Sequence, residues 1–178
     1  MDLMLLGGAL ALDFVNTRDP LLAPDAREYL DSPRALTEWG EHVGVLPTRA
    51  RLRLSDADLA RAHATRDTLE RLFTTPTRAD GKSFALAYAQ AAASAELVRA
   101  GDRFRFDGAN GLDRILLPVL ESARELLTGP ELARIRRCGA PDCGWLFVDR
   151  SRNGKRRWCR MDGCGAREKM RRYRARTA

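Results

Sequence analysis

Histidine is nearly absent from this chain: His42 and His63 are the only two in 178 residues. Neither has a second ligand at metal-binding spacing, so each reads as a surface or packing residue. No Ser/His/Asp set, Gly-rich phosphate loop or carboxylate pair stands out, and an enzyme is not expected. Long apolar runs are missing too. Leu3–Leu12 is the longest, about half of the roughly 20 residues a membrane span needs. Asp2 is the only charge ahead of it, so a cationic n-region is lacking. Ala9-Leu10-Ala11 only loosely resembles a signal cleavage site. A cytoplasmic protein is therefore expected, with no membrane partner, in a compartment that keeps thiols reduced.

Lysine is the third scarcity. Of 31 basic residues 28 are arginine, the side chain that holds phosphate in a planar two-point fork. A GC-rich genome accounts for much of that count but not for its placement. Residues 1–133 carry a net charge of −4, whereas residues 134–178 carry +11. Such a block is a disordered tail or a module that binds a polyanion.

The first 130 residues read as mostly helical. Leu10, Phe14 and Val15 suggest a short apolar helix. Ser32-Pro33 is a helix start, followed by Leu36, Trp39 and Val43 at helical spacing and by Gly44 as a stop. Ser55 caps the next helix, with Asp56 and Asp58 in its first turn. Lys82–Ala93 is an Ala-rich helix. Leu97-Val98 and Arg103–Phe106 suggest a hairpin turning near Gly101-Asp102. Leu112 to Leu127 is the clearest amphipathic helix, with Pro118 expected to kink it or to mark a later start. Gly129-Pro130 closes it and marks a domain boundary, giving domains of 1–130 and 131–178.

All four cysteines fall in the second domain, as Cys138-x4-Cys143 and Cys159-x4-Cys164. Two disulfides do not suit a reducing compartment. Redox motifs use a two-residue spacer. A catalytic zinc would keep an open position, and four thiolates close the site. One structural Zn2+ held by Cys138, Cys143, Cys159 and Cys164 is the expectation. Between the pairs, Trp145–Val148, a turn at Asn153-Gly154 and Arg156–Trp158 read as a hairpin, with both tryptophans covering the metal. Ala166–Arg176 reads as a basic helix, Ala166, Met170 and Tyr173 on one side and Arg167, Arg171 and Arg174 on another. The fold class is therefore α+β: a mainly helical N-terminal domain with a short β-hairpin, then a treble-clef-like zinc finger with a hairpin and a basic helix.

The stretch from Cys138 to Phe147, with Ser151-Arg152-Asn153, Arg156–Cys159 and Cys164-Gly165-Ala166-Arg167, resembles the CGNR zinc-finger family. Ala166 stands where the naming motif has Asn, which removes a side chain able to cap the last helix. Leu12-Asp13-Phe14-Val15-Asn16-Thr17 resembles the ABATE domain found ahead of that finger. The resemblance implies a bacterial transcription regulator linked to stress. Asp13, Asn16 and Thr17 read chiefly as the polar end of a short helix satisfying backbone groups. The competing reading is a pocket for a small-molecule effector.

The function that follows is nucleic-acid binding, with duplex DNA as partner and transcription control as purpose. Arg150, Arg152, Lys155, Arg156 and Arg157 are the candidate phosphate contacts. Arg167, Arg171 and Arg174 are the candidate base contacts. Dimerisation through the N-terminal domain would compensate for the small size of one finger. Three rivals stand: RNA binding with stacking on Trp158 or Tyr173, an interaction module for an acidic protein, and a ligand sensor capped by the finger.

Overall fold

A computed structural model describes residues 3–19, 27–107 and 109–177. Asp2 lies outside them. Helices α1 (Leu10–Val15), α2 (Pro33–His42), α3 (Asp56–Thr74) and α4 (Arg78–Ala92) precede a hairpin of β1 (Glu96–Ala100) and β2 (Arg103–Asp107). Helix α5 (Asp113–Thr128) follows, then a 3-10 turn, Pro130–Arg134. The finger comprises β3 (Ile135–Arg137), β4 (Leu146–Val148), a π turn over Met161–Gly165 and α6 (Ala166–Thr177). No helix among these residues is long and apolar enough to cross a membrane.

The helix starts follow from local chemistry. The Ser32 hydroxyl accepts from the Ala35 N–H at 3.1 Å, with Pro33 in the first turn where its missing donor costs nothing. Ser55 and Asp58 form a reciprocal capping box for α3. Thr77 and Asp80 form another for α4, so α4 begins four residues before the predicted Lys82. Arg71 on α3 also reaches Asp80 at 2.7 Å, fixing the α3–α4 corner.

Helix α5 runs continuously through Pro118, so the later start does not occur. Its inner face, including Ile115, Leu116, Leu120 and Ala123, is buried and tolerates one missing helical bond. The hairpin pairs as predicted, Leu97 opposite Phe106 and Arg99 opposite Phe104.

Short helix α1 is the centre of the molecule. Ala11, Leu12 and Phe14 are fully buried, and the Phe14 ring lies 5.1 Å from that of Trp39. The α1 N-terminus has no cap of its own, and Ser122 on α5 accepts from the Ala11 N–H at 3.2 Å instead. Gly7 is required before it: a Cβ there would sit 2.7 Å from the Leu12 Cβ. Burial continues without a gap from α1 into the finger, through Leu146, Phe147 and Val148.

Candidate metal centre and basic module

Strand β3 pairs antiparallel with β4, Ile135 opposite Val148 and Arg137 opposite Leu146. The predicted pairing of 145–148 with 156–158 does not form. Its turn does exist, with Gly154 at φ +62°. The side chain of Asp149, itself fully buried, replaces a backbone ladder: it accepts from the N–H groups of Ser151 and Arg156, both at 2.9 Å. These bonds, led by that from the Ser151 hydroxyl, hold the carboxyl below its ordinary range. Returning to the first knuckle, the Arg157 carbonyl accepts from the Gly139 N–H at 2.9 Å. Asp149 escaped the sequence reading because a lone acid in a basic run looks like surface.

The β3–β4 turn carries Cys138 and Cys143, and the π turn carries Cys164 beside Cys159. All four are buried, and their Sγ atoms lie within 4.8 Å of one another. Cys143 to Cys159 and Cys159 to Cys164 are each 3.6 Å. A zinc–thiolate tetrahedron with bonds of about 2.3 Å has edges of about 3.8 Å, so the cage fits the ion. The thiols also oppose one another. The Cys159 thiol hydrogen-bonds Cys143 and lowers it to about 6; the same contact, with burial, pushes Cys159 far up. Burial above all pushes Cys164 up to about 12. One thiolate is tolerated and further ones are resisted, the conflict that a divalent cation resolves. The four cysteines therefore hold one structural zinc ion.

The surroundings are built for close approach. A Cβ on Gly165 would meet Trp158 and Met161 at 3.0 Å, and one on Gly139 would meet Trp158 at 3.3 Å. Trp158 is thus wedged between the two knuckles, and Trp145 is buried. Ala166 is the first residue of α6. Arg167, the last residue of the naming motif, donates to Cys164 Sγ at 3.3 Å and to Asp142 at 3.0 Å. It joins the two knuckles beside a ligand sulfur, a supporting role that the reading as a base contact missed.

The other candidate contacts divide sharply. Arg150 is committed to Glu131 at 2.6 Å and to the Gly8 carbonyl at 2.8 Å. Arg156 donates to the Trp158 and Cys159 carbonyls and covers the Phe147 ring. Arg171 pairs with Glu168 and Asp142. Among the described residues Arg152, Lys155 and Arg174 make no ion pair, and Arg157 only overlies Trp158 at 5.0 Å. Lys169 and Arg176 are equally unpaired there and exposed. Helix α6 buries none of its residues: Met170 is 50% and Tyr173 63% exposed, so the side carrying Ala166, Met170 and Tyr173 also faces solvent.

The polar trio near α1 is fully engaged. Asp13 accepts from the Gly7 N–H at 2.8 Å, burial raising its pKa despite that bond. Thr17 donates to Phe14 and accepts from buried Arg66. Asn16 bonds both backbone groups of Leu146, its Nδ2 donating at 2.9 Å and its Oδ1 accepting at 2.8 Å. It satisfies backbone groups as expected, but those of a strand 130 residues away rather than its own helix. His42 and His63 each bond one backbone carbonyl, of Leu3 and Leu30.

Two family models match the chain. ABATE, described as "Putative stress-induced transcription regulator", matches residues 8–130, and the CGNR zinc finger matches residues 134–177. The first covers well over half of the sequence, so the chain belongs to the ABATE family and ends in a CGNR zinc finger. No curated protein matches it.

Proposed function

We propose that this ABATE protein is a zinc-dependent nucleic-acid-binding protein, a bacterial DNA-binding transcription regulator whose partner is duplex DNA. It is read as a binding protein and not an enzyme. The observation that carries this is the division of cations in the finger. Those nearest the core are spent on structure. Six stay exposed and, among the described residues, neither pair with an acid nor donate to a backbone carbonyl: Arg152, Lys155, Arg157, Lys169, Arg174 and Arg176. Unpaired guanidinium and ammonium groups on a metal-fixed frame suit phosphate, because no internal ion pair must break on binding. Arg167 and Arg171 belong to the frame in this reading.

Duplex DNA titrated with zinc-loaded and EDTA-stripped protein at several salt concentrations tests it. Six phosphate contacts give a slope of log K against log salt of about −5. Arg174→Ala with Arg176→Ala should reduce that slope by about 2 with zinc content intact. Absence of zinc-dependent binding at low salt would sink the proposal. Exposed Tyr173 favours one second reading, stacking on single-stranded RNA. Competition that prefers RNA over duplex DNA would establish it.

A further inference from the structure

The β1–β2 hairpin is weakly supported by the rest of the protein. Every residue of β2 is exposed, with Phe104 at 63% and Phe106 at 39%, and Leu97 on β1 is 59% exposed. Among the described residues no backbone hydrogen bond joins the hairpin to another element. A groove of about 1000 Å³ separates its apolar face from Leu117 and Pro118 of α5. A two-stranded ribbon alone in water is marginal, and its open edges are templates for another strand.

The sequence of β2 is complementary to its own reverse. Written antiparallel to itself about Arg105, Arg-Phe-Arg-Phe-Asp places Arg103 opposite Asp107 and Phe104 opposite Phe106. We propose that β2 is a self-pairing edge: a second copy of this chain docks on it about a two-fold axis at Arg105, giving one four-stranded antiparallel sheet. Such a contact is isologous, so each favourable pair occurs twice. Asp107 gains most. Within one chain it lies directly opposite Glu96, an unfavourable arrangement of like charges. The incoming Arg103 adds a cation beside it. The two Arg105 side chains meet at the axis, but each is already paired with its own Asp107 at 2.7 Å. Two five-residue edges cover far less than the roughly 1,600 Å² of a standard interface, so the dimer is weak, in the micromolar range or above. The inference does not depend on nucleic-acid binding.

Sedimentation of the full-length zinc-loaded protein over a wide concentration range tests it. Wild type should dimerise reversibly. Asp107→Arg sets Arg against Arg at both pairs, and Arg103→Asp sets Asp against Asp; each should weaken association by about tenfold or more. The two variants mixed should associate again, because every pair is then Asp against Arg. That rescue cannot come from a variant that has failed to fold. Arg105→Cys should also form a disulfide-linked dimer under mild oxidation with zinc retained, since directly paired strand residues lie within disulfide reach. A wild type that stays monomeric throughout overturns the proposal. So does a dimer in which neither charge reversal weakens association and mixing restores nothing.

Discussion

Replacing Asn16 by alanine tests how the two family segments are joined. Asn16 is 3% exposed and is the hydrogen-bond partner of both the N–H and the C=O of Leu146. Leu146 is itself 2% exposed, so water cannot step in. Alanine would orphan one buried donor and one buried acceptor at about 1–3 kcal/mol each, about 2–6 kcal/mol in all. For a chain of this size that lowers the melting temperature by about 4–24 °C. Thermal and urea unfolding of zinc-loaded protein measure the loss, and hydrogen exchange at the Leu146 amide localises it. Asn16→Asp separates the two bonds: it keeps an acceptor for the N–H but sets a carboxylate against the C=O, and should be about as damaging. If Asn16→Ala costs less than about 0.5 kcal/mol, well below the range expected for two orphaned buried groups, the bolt between α1 and β4 is not a stabilising contact and the reasoning is wrong.

Cys143→Ser should lose zinc and unfold residues 135–165; stoichiometric zinc with native circular dichroism in the variant would contradict the assigned ligands. Arg167→Ala removes the donor to Cys164 Sγ and leaves Asp142 with only the longer contact to Arg171, so zinc should pass to a chelator roughly ten times faster or more; an unchanged transfer rate would refute the supporting role. Asp80 is held down to about 2 from its ordinary 3.8, first by Arg71 and then by Thr77. A depressed carboxyl stabilises the fold above its ordinary value and loses that contribution as pH falls through about 2. Wild type should therefore lose stability between about pH 4 and pH 2 more steeply than Asp80→Asn, and parallel pH profiles would count against the clamp.

Where a side chain acts on its own neighbourhood, the sequence is readable. Ser32-Pro33, Ser55 with Asp58, and the Gly101-Asp102 turn each announce themselves within a few residues, and the structure contains them. The paired x4 spacers do likewise for the metal cage, because a chelating turn is a local object. Most of what failed required distant partners. Arg156–Trp158 has the composition of a strand, but Asp149 and Gly139 take its backbone groups, and Ile135–Arg137, unremarkable in sequence, pairs with β4 instead. Thr77-Arg78-Ala79-Asp80 is a capping box that the Ala-rich run after it obscured. For Asn16, nothing nearby in the sequence hints at Leu146. Arg150, Arg156 and Arg167 looked interchangeable with Arg152 and Arg174 because charge is visible in a sequence and an ion-pair partner is not.

The joint between α1 and β4 has a consequence for how metal and N-terminal domain affect one another. Leu146 lies three residues beyond Cys143, so the strand that Asn16 holds is the strand that positions a zinc ligand. The Val148 N–H donates to the Gly7 carbonyl at 2.9 Å, and Arg150 reaches Gly8, so contacts follow the chain from the knuckle outward. Zinc binding to a short four-cysteine module contributes on the order of 10 kcal/mol to its folding, and part of that is spent holding β4 where Asn16 can meet it. By linkage the relation is reciprocal: whatever stabilises α1 in place tightens zinc binding, and whatever displaces it weakens the cage. Helix α6 starts two residues after Cys164 and has no buried residue, so its orientation is inherited from that cage. The unpaired cations on α6 are thus set in space by a continuous series of packed contacts from the N-terminal core, and the finger acts as an extension of that core.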